Sequence, residues 1–192
     1  GSLINKVSRN FTGVLADIHP VRVSGIKRGW YINIPEDRDT GLGAISDSAS
    51  SCNGILMAAN GEDFIALDSR EKIHGYQRVK LPLEIFTFLD SETIRKIEIE
   101  AIWTYITDKI IQPTENCPIA QSYLDVVLEG CLSISDTFAE EFILSTYGWE
   151  FPWIDDRQKP RYRRPISADI ERIDMLLKKL LPEAFIKRKV IN

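Results

Sequence analysis

Apolar side chains recur at helical spacing between Asp90 and Pro113: Ile94, Ile97, Ile99, Ala101, Ile102, Trp103, Tyr105, Ile106, Ile110 and Ile111, with no internal Gly or Pro. Only a narrow polar stripe remains for water, through Glu92, Lys96, Glu100, Thr104 and Asp108. The pattern predicts a largely buried central helix, capped by Asp90 or Ser91 and stopped by Pro113. Strand-like periods precede it and helix-like periods follow.

Before this segment, the apolar run from Val14 to Ile18 and the alternation of Val21 and Val23 with Arg22 and Ser24 predict two short strands around His19-Pro20. Trp30, Ile32 and Ile34 alternate with Tyr31 and Asn33, so a further strand is expected up to Pro35. From Glu36 to Gly54 the chain is rich in Asp, Gly, Ser and Asn and is read as a long loop. Asn60-Gly61 between Ile55–Ala59 and Phe64–Leu67 predicts a hairpin, and a second is expected around His74-Gly75, leading into Gln77–Leu81. Five or six strands are thus expected, as a mostly antiparallel sheet or a partly open barrel.

Beyond Pro113, a helix is predicted from Pro118 through Tyr123, Val126, Val127 and Leu132, weakened near its end by Gly130. Thr137 and Glu140 match a capping box ahead of Phe138, Phe142, Ile143 and Leu144, with Gly148 as the stop. Ser167 is expected to open a last helix that buries Ile170, Ile173, Leu177 and Leu180 and closes at Pro182. Strands segregated from helices define the class α+β. Residues 1–192 are expected to form a single domain, strand-rich over 11–89 and helix-rich over 90–192, with a C-terminal helical group around the central helix. Gly1-Ser2 is read as a scar of expression.

At 44 % hydrophobic and 27 % charged, the chain has the composition of an ordinary globule, and no apolar run is long enough to span a bilayer. Cys52, Cys117 and Cys131 are odd in number and widely spaced, which fits neither a disulfide framework nor a zinc site and favours the cytoplasm. The tripeptide Asn10-Phe11-Thr12 satisfies the glycosylation pattern but is common by chance. The net charge of −4 hides an asymmetry: residues 1–150 hold 13 Lys+Arg against 22 Asp+Glu, net −9, while residues 151–192 hold 11 against 6, net +5.

That basic end supplies the candidate binding surface. Trp149, Trp153 and Tyr162 interleave with Arg157, Lys159, Arg161, Arg163 and Arg164, and Phe151 lies among them. Rings and guanidinium groups of this kind anchor protein interfaces, here against an acidic partner. The same composition stacks on exposed bases and neutralises phosphates, so single-stranded nucleic acid is the alternative partner. In a purely structural role, the rings would pin a long loop to the core while the arginines pair with Asp155, Asp156 and the acidic body.

Catalytic patterns are weak. Asp37-Arg38-Asp39-Thr40-Gly41 resembles the aspartate pair of phosphate-transferring hydrolases, but Gly41 stands where Thr or Val belongs. As a calcium loop it would need Glu where Ser48 lies, so a solvated turn is expected. Gly41-Leu42-Gly43 lacks the rest of a dinucleotide fingerprint, no Walker lysine follows a glycine run, and Arg78 stands where a magnesium nuclease needs an acid. His19 and His74, the two histidines, lie near predicted turns with Asp17 and Glu71 nearby. Cys52, in the polar loop, is the cysteine expected to react, while Cys117 and Cys131 are expected to pack. No cofactor or metal is implied. The sequence therefore points to a non-enzymatic interaction domain of immunity, adaptor or regulatory type that uses the basic aromatic segment. Nucleic-acid binding through the same segment is the alternative, and a phosphate-ester hydrolase using Asp37 and Asp39 the remote third.

Overall fold

The structure, a computed structural model, describes residues 1–13, 16–90 and 99–191. A 3-10 turn, Ser2–Ile4, and a short helix α1, Lys6–Asn10, lead into two long strands, β1 (Ile18–Ile34) and β2 (Asp39–Met57). Helix α2 (Gly61–Lys72) follows, then β3 (Gln77–Leu81), a 3-10 turn at Leu83–Ile85, β4 (Phe86–Phe88) and β5 (Ile102–Ile106). The remainder comprises β6 (Ile119–Ala120), α3 (Gln121–Leu132), α4 (Asp136–Leu144), β7 (Thr146–Tyr147), β8 (Trp153–Asp155), α5 (Ile170–Leu180), α6 (Pro182–Lys187) and β9 (Lys189–Val190). The class is α+β. Among the described residues no helix is long and apolar enough to cross a membrane.

The main sheet has the order β4-β1-β2-β6-β8-β9, with β7 also pairing β1. Its antiparallel body is the β1–β2 hairpin, in register from Ile18 opposite Met57 to Ile34 opposite Asp39. The register slips between Ser24 and Ile26, where Gly25 takes φ +79° and β2 carries the extra residues 47–50. The C-terminal half adds only one- or two-residue parallel pairings, such as Thr40 with Ile119 and Ile154 with Lys189. A separate two-stranded sheet, β3 with β5, stands beside the hairpin.

Four sequence expectations are corrected here. The polar stretch 36–54 is not a loop: from Asp39 it is β2, because backbone pairing along β1 supplies the order that its small polar side chains do not signal. Asn60-Gly61 does not turn a hairpin. Asn60 caps α2, accepting from the Glu62 and Asp63 amides at 2.8 and 3.0 Å while Asp63 returns the bond to the Asn60 amide at 2.9 Å. His74-Gly75 likewise is the exit from α2 into β3, with Gly75 at φ +79°. The central helix is absent over 102–106, where Ile102, Thr104 and Ile106 suit a strand paired to β3. Its predicted first turns at 91–98, like Val14 in the first strand, lie outside the described residues.

The buried central helix is instead α3, eleven of whose twelve residues are buried. It packs with Trp30, Phe142, Ile143, Ile173 and Leu177 in the main core. Ser135 caps α4, accepting from the Phe138 amide at 3.0 Å, and Asp169 caps α5; Thr137 and Ser167 do neither. Gly130 has a purpose other than weakening α3. A Cβ there would lie 2.5 Å from the Asn5 amide nitrogen and 2.8 Å from its Cα, so the helix touches the N-terminal segment backbone to backbone. Gly130→Ala is therefore expected to destabilise the protein by about 1–3 kcal/mol despite better helix propensity, as an overpacked contact does. A urea melt in which the variant matches or exceeds wild type would contradict this contact.

Candidate functional site

The basic aromatic segment does not form one open patch. Trp149 and Trp153 are 8 % and 3 % exposed and sit in the core, where Trp149 stacks edge-on against Trp30 at 5.3 Å and Trp153 against Phe185 at 6.1 Å. The Trp149 indole donates to the Ile143 carbonyl at 3.0 Å. Arg157 donates to both Asp125 oxygens at 2.7 and 2.8 Å and to Asp174 at 2.9 Å, and it lies 3.5 Å from Asp155. Arg188 joins this network, 3.2 Å from Asp155 and 3.5 Å from Asp174. Three carboxylates and two guanidinium groups thus pair with one another at the seam between α3, α5 and β8, in line with the structural alternative.

Arg157→Met should lower stability by roughly 3 kcal/mol, because the buried Asp125 carboxylate would lose its charge partner. Equal melting temperatures for variant and wild type would mean that the network contributes nothing.

The rest of the segment forms a strap over the β1–β2 turn. Asp156, fully buried, accepts from the Ser122 amide and hydroxyl at 2.8 and 2.6 Å and from the Arg161 amide at 2.8 Å. Arg161 reaches across to the Arg38 carbonyl at 2.6 Å, and Arg163 forms an ion pair with Asp37. Tyr162 stacks on Tyr123 at 5.1 Å between centroids, and Arg164 lies over the Tyr162 ring. Lys159 is exposed.

Beneath the strap opens a cleft of about 610 Å³. Five parts of the fold wall it: the Ser2–Ile4 turn, the β1–β2 turn, the end of α2 at Arg70–His74, Tyr123 of α3, and the strap at Tyr162–Arg164. Of the eight predicted binding residues, Tyr162, Arg163 and Arg164 reach the cleft, while Trp149, Trp153, Arg157, Lys159 and Arg161 do not line it.

Asp39 is the focal group. The tight turn from Ile34, with Arg38 at φ 56°, swings the first residue of β2 inward, so Asp39 is 3 % exposed instead of solvated. Its Oδ1 finds no hydrogen-bond partner among the described residues. Burial pushes its pKa up to about 7, helped by the negative charges of Asp37 and Asp156 and opposed by Arg161 and Arg163.

Arg70 and Glu71 line the same cleft. Arg70 donates to the Ser2 hydroxyl at 3.0 Å and pairs through Nε with Glu71 at 3.2 Å, yet its buried Nη1 has no hydrogen-bond partner among the described residues. Tyr162 also buries a hydroxyl without one. The Tyr76 hydroxyl donates to the Leu42 carbonyl. Burial raises the pKa values of Tyr76 and Tyr123, so both stay neutral donors.

Gly1 and Ser2, read as an expression scar, are part of this wall: Ser2 is buried, and a Cβ on Gly1 would strike the Tyr123 hydroxyl at 2.3 Å. Sequence reasoning names Glu71 only as a carboxylate near His74 and does not select Arg70 or Tyr76, because it reads Phe64–Leu67 as a hairpin strand. The Asn60-x-x-Asp63 capping box was the signal that would have placed them on a helix. Asp37 and Asp39 lie in unlike settings: Asp37 pairs with Arg163, and Asp39 is buried. His74 lines the cleft, whereas His19 lies on β1 opposite Leu56. Cys52 is buried in β2 with a raised thiol pKa, caused first by burial, and is not a reactive cysteine.

No family model and no curated protein matches the chain. Among solved structures, its fold is similar to that of the uncharacterized protein loc79017 from Homo sapiens, with a TM-score of 0.54 and 13 % sequence identity, over 92 % of this chain and 94 % of that one.

Proposed function

We propose that the cleft under the strap binds a small polar metabolite and carries out acid–base chemistry on it. The observation that supports this most is Asp39: a buried carboxyl with an unpaired oxygen and a pKa of about 7, among the residues that line the cleft. Burying such a group without a partner is unfavourable to folding, and groups of this kind concentrate where proton transfer is needed. At neutral pH it populates both protonation states, which suits a group that takes up and returns a proton.

Glu71 is the second carboxylate, held by Arg70, and two carboxyls in unlike environments are the usual arrangement for dividing acid and base roles. Arg70 and Asp39 give the cleft wall one cation and one carboxyl, which suits a ligand that carries an anionic group and a hydrogen-bond donor. The interaction-domain alternative, whether for an acidic protein or for single-stranded nucleic acid, gains no support from the placement of Trp149 and Trp153, which are buried, or of Arg157, which is held by three carboxylates.

Screening a metabolite library by thermal shift, with wild type, Asp39→Asn and Glu71→Gln side by side, tests the proposal. Ligands that stabilise wild type should lose at least tenfold in affinity in Asp39→Asn, and any turnover should vanish in both variants. Ligands that bind all three proteins equally would place the activity elsewhere.

A further inference from the structure

We infer that the cleft's ligand carries an apolar arm, which occupies a second cavity of about 270 Å³ behind the first. This rests on the small-molecule reading of the cleft. The second cavity lies between the β1–β2 hairpin and the small β3–β5 sheet, and its walls include Val23, Ile26, Cys52, Leu81, Phe86 and Ile102. It adjoins the cleft: Gly1, Leu3, Leu42, Glu71 and Tyr76 line both. Glu71 and Tyr76 therefore stand at the threshold between a polar chamber and an apolar one.

Arg28 and Asn53, which line the second cavity away from the cleft, are already committed. Arg28 directs its guanidinium to Thr146, Asn53, Phe142 and Ser145 at 2.5 to 3.1 Å. The Asn53 amide donates to the Phe138 carbonyl at 2.7 Å. The Cys52 thiol stays neutral because burial raises its pKa. A polar occupant would thus find no free partner in these groups, while an apolar one would cover Val23, Ile26, Phe86 and Ile102. The room is ample, since an apolar cavity of about 150 Å³ accepts benzene. The chemical class is then amphipathic: a charged head, its anion toward Arg70 and its donor toward Asp39, and a hydrocarbon or aromatic tail passing Tyr76.

Unbranched 2-amino acids, from alanine to 2-aminooctanoic acid, are suitable probes because the head is constant and only the tail grows. Isothermal titration of the whole protein should show affinity rising about fourfold per added methylene. Ile102→Phe and Cys52→Leu, which fill the second cavity, should flatten that dependence and leave alanine's affinity unchanged. Asp39→Asn should weaken every member by a similar factor and keep the dependence. Each variant is first checked for a wild-type circular dichroism spectrum, and the wild-type series decides the matter even where a variant fails to fold. If alanine and 2-aminooctanoic acid bind wild type equally, the apolar arm is overturned and the cleft proposal stands. If no member binds, this amphipathic class is overturned, and the library screen decides separately whether the cleft binds anything.

Discussion

Arg28→Met will lower the free energy of unfolding by about 3–5 kcal/mol, measured as a shift in urea midpoint at unchanged slope. Arg28 lies on β1 and is 8 % exposed, with its guanidinium stacked 3.6 Å over the Phe142 ring. Its five hydrogen bonds run to Thr146 Oγ1, the Asn53 carbonyl and side-chain oxygens, the Phe142 carbonyl and Ser145 Oγ. One of these acceptors, the Phe142 carbonyl, is of the kind left open at a helix end, here that of α4, so the arginine acts as a C-terminal cap from another element. Removing it would strand several buried oxygens at once and loosen α4 from both long strands. Arg28→Lys should recover only part of the loss, because one ammonium cannot reach acceptors spread around a planar fork. A loss below 1 kcal/mol for Arg28→Met would mean that these oxygens find water.

Asp39→Asn should stabilise the protein at pH 8 while abolishing function. The folded-state pKa of about 7 lies above the ordinary value of 3.8. Between those values the folded state holds a proton that the unfolded state has released, so stability falls as pH rises from about 4 to about 7 and then levels. The separation corresponds to ~4 kcal/mol at most, lost in full above the folded pKa. Asparagine has no such proton. The variant should therefore unfold at nearly the same urea concentration as wild type near pH 4 and at a clearly higher one at pH 8. Parallel stability profiles across this range would show that Asp39 titrates normally and would remove the main support for the cleft. A residue whose replacement strengthens the fold is expected where stability has been given up for chemistry.

The class and the C-terminal helices were legible because their apolar periods are long and their caps are local: α3 and α5 follow from Val126, Val127, Ile173 and Leu177. What could not be seen were structures made by distant partners. β2 looks like a loop until β1 is laid beside it, and Ile102 to Ile106 fit a helix and a strand equally until β3 decides. The cleft was illegible for the same reason. Asp39, Arg70 and Tyr162 lie far apart in sequence, and nothing near Asp39 announces that Asp156 and the strap will shut water away from it. The tryptophans misled for the opposite reason: rings beside arginines suit a surface as well as a core. Only the placement of Asp125, Asp155 and Asp174 shows the charges to be internal.

The main sheet is seeded early in the chain and completed late. Thr40 hydrogen-bonds through its amide to the Pro118 carbonyl, β7 joins β1 only after α4, and β8 lies beyond that. A ribosome-bound chain that has emerged no further than Met57 already holds a long hairpin whose outer rims have nothing to pair with. Such a nascent intermediate would be sticky. Holdase chaperones and slow translation across residues 58–118 are then the conditions under which this protein should be recovered in good yield, and rapid overproduction at high temperature the condition under which it should collect in inclusion bodies.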